Sequence, residues 1–159
     1  MSFEVKPIYG QTERVCQFVA AQPEFDRSVD FGECQAIGFE IDNNLVAGVV
    51  FQNWDTKAQR IEIAAAAVDP RWMTRKSLQT IFGYVFNTVG CQLCVLQVSE
   101  FNGRMRSIAR RLGFTEYHIP RMRGRNEALA FYTLTDEQWQ MSRIRSSRVA
   151  PKAESAKAA

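Results

Sequence analysis

The chain of 159 residues has few of the histidines and paired cysteines that build zinc sites. It has one histidine, His118, and one C-x-x-C pair, Cys91 and Cys94, with no second pair or histidine to complete a tetrahedral zinc site. We interpret Cys91 and Cys94 as core thiols, and Cys16 and Cys34 as core or neutral thiols, and we expect no metal. A zinc or redox role for Cys91 and Cys94 is the alternative.

Long apolar runs are also missing from the sequence. No stretch approaches the roughly 20 consecutive apolar residues of a membrane-spanning helix. The first residues, MSFEVKPIYGQTE, carry acidic side chains early and lack the apolar segment of a secretory signal. A chain of this length can bury one sizeable core, and its hydrophobic share of 46% is ordinary for a globular protein. We therefore expect one domain, no membrane contact and a cytoplasmic location.

Acidic residues and aromatic residues are scarce at the end of the chain. The segment after Met141 is basic and rich in Ala, Ser and Lys, a composition that buries too little apolar surface to fold. We predict a domain over residues 1–141 and a disordered basic tail over residues 142–159. The tail either contacts nucleic acid or an acidic partner, or is a solvated segment that aids solubility. We favour the second interpretation and expect no nucleic-acid contact.

Two apolar segments alternate with two amphipathic helices in the middle of the chain. Arg60–Val68 and Cys91–Val98 are apolar nearly throughout, which is typical of strands covered on both faces. Between them, apolar residues with a period of 3.6 predict a helix from Thr74 to about Val89. Thr74 is its expected N-cap and Gly90 its expected end, and a second helix follows Asn102, which can cap it. This order predicts a parallel strand pair joined by a right-handed crossover. Ligands of such sheets bind at the carboxyl ends of the strands.

The remaining segments predict antiparallel strands and one more helix. The turn residues Asp42 and Asn43 separate two apolar segments, which is typical of a β-hairpin. The predicted elements are a strand at Phe3–Ile8, a helix at Thr12–Gln22, a hairpin of Glu33–Asp42 with Leu45–Asn53, and a hairpin of Thr115–Arg123 with Ala128–Leu134.

The sequence NGRMRSIARRLGF (Asn102–Phe114) resembles the late helix of the GCN5-related N-acetyltransferases, or GNATs, in which an asparagine is followed by Leu-Gly-Phe. RIEIAAAAVDP followed by a helix resembles the acetyl-CoA-binding strand and turn of that family. The similarity covers roughly Gln35 to Trp139. The helix also resembles that of the subgroup that acetylates protein N-termini. PRWMTRKSLQTIFGYVF is similar to members found in bacteriophage and prophage genomes.

The resemblance implies an α/β fold with a mixed, mostly antiparallel sheet, a central splayed parallel strand pair and about four helices. It implies transfer of acetyl from acetyl-CoA to a primary amine, by direct attack in a ternary complex. The acceptor would be a protein N-terminus or a small-molecule amine, and the loop Pro23–Phe31 would shape its pocket. No metal is implied, and the oligomeric state, monomer or homodimer, is open.

The turn before the first of these helices departs from the family pattern. GNATs usually have R/Q-x-x-G-x-G/A there, whereas this chain reads MTRKSL and has no glycine. A helix N-terminus still offers N–H groups to a phosphate, and basic side chains add charge. The alternative is that these basic residues are simply solvated, on a protein that no longer binds the cofactor. The candidate cofactor-binding residues are Ala66, Val68, Arg71, Thr74, Arg75, Lys76, Ser77 and Asn102.

Glu62 is the candidate general base. Amide formation from a thioester needs a neutral amine, and a carboxylate can take the proton of the amine directly or through a water. Glu62 lies between Ile61 and Ile63 in the first of these strands, and resembles in placement the glutamate that many family members use. The alternative is an outward-facing side chain that pairs with Arg60 or Lys57.

The candidate proton donor is Tyr117. The tyrosine of the family's late helix is Ala109 here, and Tyr84 falls off the apolar stripe of its helix. A thiolate can also leave without a dedicated donor and be protonated by water. A backbone N–H within the AAAAV segment, at a bulge that splays the two parallel strands, would polarise the thioester carbonyl.

The alternative function belongs to another class. It is a non-catalytic GNAT-like structural or partner-binding protein, phage-encoded, with a degenerate cofactor loop. The missing glycines favour this alternative. Glu62, Asn102 and the basic turn favour the enzyme.

Overall fold

The computed structural model describes residues 3–25 and 29–145. Within them, seven strands form one sheet in the order β1-β2-β3-β4-β5-β7-β6, accompanied by four α-helices. The strands are β1 (Val5–Ile8), β2 (Cys34–Ile41), β3 (Asn44–Asp55), β4 (Arg60–Ala67), β5 (Leu93–Ser99), β6 (Thr115–Ile119) and β7 (Leu129–Thr135). The helices are α1 (Thr12–Ala20), α2 (Arg75–Gly83), α3 (Gly103–Arg111) and α4 (Asp136–Gln140), with a 3-10 turn at Pro70–Trp72 and a π-helical segment at Tyr84–Val89.

The central strands β4 and β5 are the one parallel pair in the described sheet, and they separate towards their carboxyl ends. They pair from Arg60 opposite Leu93 to Ile63 opposite Leu96. Beyond that point β4 continues along β3 to Ala67, whereas β5 continues along β7. The predicted fold class, with its splayed parallel pair, is therefore confirmed.

The bulge predicted in β4 is absent from the described register. Pairing between β3 and β4 is continuous from Ala47 opposite Ala67 to Gln52 opposite Glu62, and the register shifts only before Asp55. β4 and β5 separate because each follows its own antiparallel partner. A bulge lies instead at the carboxyl end of β3, between Gln52 and Asp55.

Two layers of helices cover the sheet. The larger apolar cluster joins one face of the sheet to α2, α3 and α4, with Tyr132 and Phe39 fully buried in it. On the other face, α1 packs over β2 and β3, where Gly38 lies opposite Gly48 in the register. A Cβ atom at either glycine would lie within 3.0 Å of the Val15 side chain. The two glycines therefore let α1 approach the sheet closely.

The helix predicted from Thr74 to Val89 changes from an α-helix to a π-helix after Gly83. Thr74 caps α2 as predicted, because its hydroxyl accepts a hydrogen bond from the Ser77 N–H at 3.1 Å. After Gly83 the chain continues as a π-helix and ends at Gly90, whose φ is 83°. The predicted apolar face is nevertheless kept through this segment, because Val85 and Phe86 are buried in the main cluster and Val89 packs against it. Tyr84, which falls off that face, is half-buried against the Phe51 ring, with 4.7 Å between ring centroids.

The two hairpins differ in how well their turns match the prediction. Asp42 and Asn43 form the two-residue turn between β2 and β3 with φ of 52° and 66°. In the second hairpin, β6 ends at Ile119 rather than at Arg123, and turns fill the chain before β7.

Cys94 lies in β5 and Cys91 lies just before that strand, and both are buried, as the core interpretation predicts. Burial raises the pKa of both Cys91 and Cys94. Residues 3–25 and 29–145 contain no group of three or more His, Cys, Asp or Glu side chains placed to hold a metal ion.

The chain after α4 keeps contact with α2 over the last residues that the structure describes. Gln79 donates a hydrogen bond to the Ile144 carbonyl at 2.8 Å, and Ile144 packs against the main apolar cluster. The predicted tail therefore begins with a packed segment, because Ile144 supplies apolar surface. Residues 146–159, the rest of the predicted tail, lie outside the described residues. No described helix has the length and apolar character of a membrane span.

Candidate active site

The Glu62 carboxylate lies on the α1 side of the sheet and is held by three amide groups. It accepts hydrogen bonds from Gln52 at 3.3 Å, from Asn53 at 3.1 Å and from Gln97 at 3.1 Å. Neighbouring residues of a strand normally face opposite sides of the sheet. The β3 bulge, where Asn53 has a φ of 52°, allows both Gln52 and Asn53 to reach the same carboxylate.

The Glu62 carboxylate has no cationic partner among the described side chains. Arg60, one of the two partners that the alternative interpretation proposes, forms its ion pair with Asp55 at 3.4 Å. Three neutral donors therefore fix the position of the carboxylate without neutralising its charge. A carboxylate held in this way can accept a proton from an amine that enters beside it.

Glu62 faces an open cavity of about 660 Å³, which we name the Glu62 cleft. Its floor comes from β4 and β5, and its walls come from the chain after α1 and from the start of α3. The segment predicted to shape the acceptor pocket supplies five of the wall residues, and its residues 26–28 lie outside the described chain. The cleft is lined by Pro23, Glu24, Phe25, Val29, Phe31, Gln52, Glu62, Ile63, Ala64, Ala65, Leu96, Gln97, Val98, Ser99, Phe101, Asn102, Met105 and Arg123.

A second cavity of about 320 Å³ adjoins the cleft where β4 and β5 separate, and we name it the α3 cavity. Four residues line both cavities, namely Glu24, Ala65, Asn102 and Met105. The alanines of β4 leave room between the strand edge and α3. Beyond Ile63, β4 no longer pairs with β5, so this edge of β4 has no strand partner in the described sheet. An extended ligand could lie along that edge.

Two arginines of α3, which the sequence interpretation did not select, line the α3 cavity. Arg104 and Arg111 lie seven residues apart, hence on one face of the helix, and both are exposed. The other two arginines of α3 are engaged elsewhere, because Arg106 and Arg110 form ion pairs with Glu116 at 3.3 and 2.8 Å. The spacing of Arg104 and Arg111 was a usable signal in the sequence, since it places both on one face of a capped helix.

Two basic residues of the predicted phosphate-binding turn already have partners. Arg71 forms an ion pair with Asp69 at 2.8 Å and lies over the Phe3 ring. The Arg71 guanidinium holds the pKa of the Asp69 carboxyl below its usual range. Arg75 donates a hydrogen bond to the Arg143 carbonyl. Each would have to exchange its partner for a phosphate oxygen to bind coenzyme A.

The hydroxyl groups selected in this turn build the turn itself. Thr74 caps α2, and the buried Ser77 hydroxyl donates to the Trp72 carbonyl at 2.8 Å. The N–H of Val68 donates to the Val46 carbonyl at 2.8 Å and is thus unavailable to a ligand. Lys76 and Leu78, which align with the glycines of the GNAT pattern, lie in the first turn of α2, and a 3-10 turn anchored by the buried Trp72 precedes them. Lys76 is exposed on the first turn of α2, and Ala66 lines the α3 cavity.

Asn102 is placed to serve two purposes. Its side-chain oxygen accepts a hydrogen bond from the Met105 N–H at 3.1 Å, which caps α3 as the sequence predicts. It also lines both cavities. The cap is established by this geometry, and a contact with the cofactor stays a prediction.

Tyr117 lies on the same face of the sheet as Glu62 but does not line the cleft. Three strand spacings separate β6 from β4, a distance of about 14 Å, and 53% of the Tyr117 side chain is exposed. His118 lies 3.6 Å from Glu100, and Tyr84 packs on the opposite face of the sheet. No tyrosine or histidine of the described chain lines either cavity.

The seven-stranded sheet with its splayed parallel pair matches the fold of the GCN5-related N-acetyltransferases, and solved acetyltransferases are among its structural neighbours. One neighbour is the spermidine/spermine N-acetyltransferase SpeG from Vibrio cholerae. It is 13% identical over 86% of this chain and 95% of SpeG, with a TM-score of 0.65. No protein-family model and no curated protein sequence matches the chain.

Two further neighbours are described only as acetyltransferases. One is 13% identical, covers 91% of this chain and 92% of the neighbour, and has a TM-score of 0.68. The other is 18% identical with a TM-score of 0.59, and the aligned part is 67% of this chain and 64% of that protein. The match thus spans less than two thirds of the length of that protein. At these identities the likeness establishes the fold.

Proposed function

We propose that the protein transfers an acetyl group from acetyl-CoA to a primary amine by direct attack in a ternary complex. The observation that carries the proposal is the position of Glu62. Its carboxylate is fixed by three amides and faces a cleft that joins a second cavity flanked by Arg104 and Arg111. In this proposal Glu62 is the base for the amine on one side of the β4–β5 opening, and Arg104 and Arg111 are the positive charge for phosphate on the other.

Each part of the reaction has a candidate group in this arrangement. The amine gives a proton to Glu62, directly or through a water, and attacks the carbonyl carbon of the thioester. The C–S bond breaks as the amide forms, and the coenzyme A thiolate leaves. Because Tyr117 lies about three strands away, we propose that water protonates the thiolate. The exposed edge of β4 supplies backbone N–H groups that can polarise the carbonyl.

The cofactor would be held from α3 as much as from the turn before α2. Arg104 and Arg111 line the α3 cavity without an ion pair among the described residues, whereas Arg71 is paired with Asp69. Charged hydrogen bonds of arginine to phosphate are strong and directional. We therefore add Arg104 and Arg111 to Lys76, Asn102 and the other residues selected from the sequence.

The acceptor is a protein N-terminus or a small-molecule amine, and the open Glu62 cleft admits either. We keep a cytoplasmic location and a phage or prophage origin as proposals that rest on the sequence.

The non-catalytic alternative is favoured by one specific observation. The turn that binds pyrophosphate in the family lacks glycine here, and its Arg71 and Arg75 bond to Asp69 and to the Arg143 carbonyl. A protein with such a turn could keep the fold for contact with a partner and bind no coenzyme A.

Calorimetric titration with acetyl-CoA separates the two functions without knowledge of the acceptor. We expect one binding site per chain. Replacing Arg104 and Arg111 by alanine should weaken binding about tenfold or more for each lost phosphate contact. The matched control is Arg125→Ala, since Arg125 is exposed and lines neither cavity. Absence of heat at millimolar acetyl-CoA would overturn the enzyme proposal in favour of the alternative.

A further inference from the structure

Two cysteines outside the proposed active site lie side by side at the edge of a third cavity. The Sγ atoms of Cys16 in α1 and Cys34 at the start of β2 are 3.5 Å apart, although the residues are 18 positions apart in the sequence. Both are only partly buried, and both line an open cavity of about 740 Å³ between α1 and residues 29–34. Reagents from solvent can therefore reach the pair.

The other two cysteines provide an internal comparison. Cys91 and Cys94 are buried in the main core, and Cys94 has no exposed surface. Small apolar residues would serve the packing role of a thiol at either place. The pairing of two reachable thiols across two elements has a chemical consequence that a buried thiol lacks, because adjacent thiols can be oxidised to a disulfide.

We propose that Cys16 and Cys34 form a reversible redox modification site, which a low-molecular-weight disulfide such as oxidised glutathione converts to a Cys16–Cys34 disulfide. A thiol pair in van der Waals contact needs a movement of about 1.5 Å to reach the S–S bond length of about 2.05 Å. One end of the bond lies on α1 and the other on the first residue of β2, so side-chain rotation and a small shift of the helix can supply this movement.

The reaction proceeds by two thiol–disulfide exchanges. Cys34 lines a second open cavity besides the one it shares with Cys16, so it is the thiol that we expect to attack first. Burial, which raises the pKa of Cys16, points the same way. Cys34 bonds to one sulfur of the small disulfide, and the other sulfur leaves as a thiol with the proton of Cys34. Cys16 then attacks the Cys34 sulfur, and the second small thiol leaves with the proton of Cys16. The two protein thiols are oxidised and the small disulfide is reduced to two thiols.

The disulfide would restrict the chain beside the proposed active site. The disulfide ties α1 to β2 and closes a loop of the chain that includes Phe31, and Phe31 lines both the dithiol cavity and the Glu62 cleft. Closing that loop removes conformations of the unfolded chain, which stabilises the oxidised protein. The site exists whether or not the cleft is catalytic, so its test does not depend on the proposed function.

The test uses the full chain, reduced and then equilibrated with reduced and oxidised glutathione at a series of ratios. Free thiols are alkylated, and the intact mass and the peptide map are read by mass spectrometry. We expect the loss of two hydrogens, a Cys16–Cys34 crosslink, and alkylation of Cys91 and Cys94 only after denaturation. The oxidised form should melt several degrees above the reduced form.

Two variants check the order of the exchanges. Cys16→Ser should stop after the first exchange and carry one glutathionyl group on Cys34, whereas Cys34→Ser should remain unmodified at the same ratios. The wild-type mass measurement stands even if a variant does not fold. A mixed disulfide that persists on the wild-type protein, a bond that involves Cys91 or Cys94, or no reaction at any ratio would overturn the proposal.

Discussion

Replacing Gly48 by alanine tests whether two strand glycines set the distance between α1 and the sheet. A Cβ atom at Gly48 would lie 2.7 Å from Cγ1 of Val15 and 2.8 Å from Cγ2 of Val19. Both valines are fully buried, and β-branched side chains in a helix have one strongly favoured rotamer. The methyl group therefore cannot be accommodated by side-chain rotation, and α1 must move away from β3.

The expected loss of stability follows from two opposing terms. Overpacking of a well-packed site costs about 1–3 kcal/mol. Removing a glycine from a strand interior recovers about 0.5–1 kcal/mol of conformational entropy. Because the added methyl group would clash with two buried valines, the upper part of the overpacking range applies, and the net loss is about 1–2 kcal/mol. For a domain of this size that lowers the Tm by about 2–8 °C.

Thermal unfolding followed by circular dichroism measures the effect, with Gly83→Ala as the matched control. Gly83 lies in α2 and has only the Asn87 amide, at 3.9 Å, near the position of an added Cβ, so alanine there should raise the Tm. Val15→Ala removes one clashing methyl group and should reduce the loss caused by Gly48→Ala. A Gly48→Ala protein that melts at or above the wild-type temperature would refute the reasoning.

Three further predictions follow from the site and its surroundings. Glu62→Gln should lower turnover by about 10²–10⁴ with little change in acetyl-CoA affinity. The control Glu137→Gln should keep turnover, because Glu137 is exposed and lines neither cavity. Equal turnover in Glu62→Gln and wild type would remove Glu62 from the mechanism. Arg110 and Tyr132 lower the pKa of Glu116 to about 2, so the stability that its ionised form supplies is complete above about pH 4.5 and is lost as the pH falls towards 2. Chemical denaturation at several pH values should show the advantage of wild type over Glu116→Gln shrinking over that range. Truncation after residue 145 should leave the Tm unchanged. Truncation after residue 141 removes Ile144, which packs against the main apolar cluster, and should lower the Tm. Equal Tm values for the two truncated proteins would contradict this packing role of Ile144.

The sequence alone predicted the order of the elements and several of their ends. The apolar period along α2 and the apolar runs of β4 and β5 are local patterns, and they predicted a parallel pair with a helical crossover. Thr74 and Asn102 act as helix caps because a cap depends only on residues within one turn. Gly90 ends its helix with a positive φ for the same local reason.

The surroundings of each candidate site residue were decided by the tertiary structure. The three amides around Glu62 come from two other strands, and one reaches the carboxylate only through a bulge that no local pattern in β3 predicted. Tyr117 was selected by residue type, but the position of β7 between β5 and β6 places it away from the cleft. The partners of Arg71 and Arg75 were likewise not foreseen. Hydrophobic periodicity depends on residues that are close in the sequence, so it can be recognised there. Strand register, sheet order and ion pairs join residues far apart along the chain, and they decide which side chains come into contact.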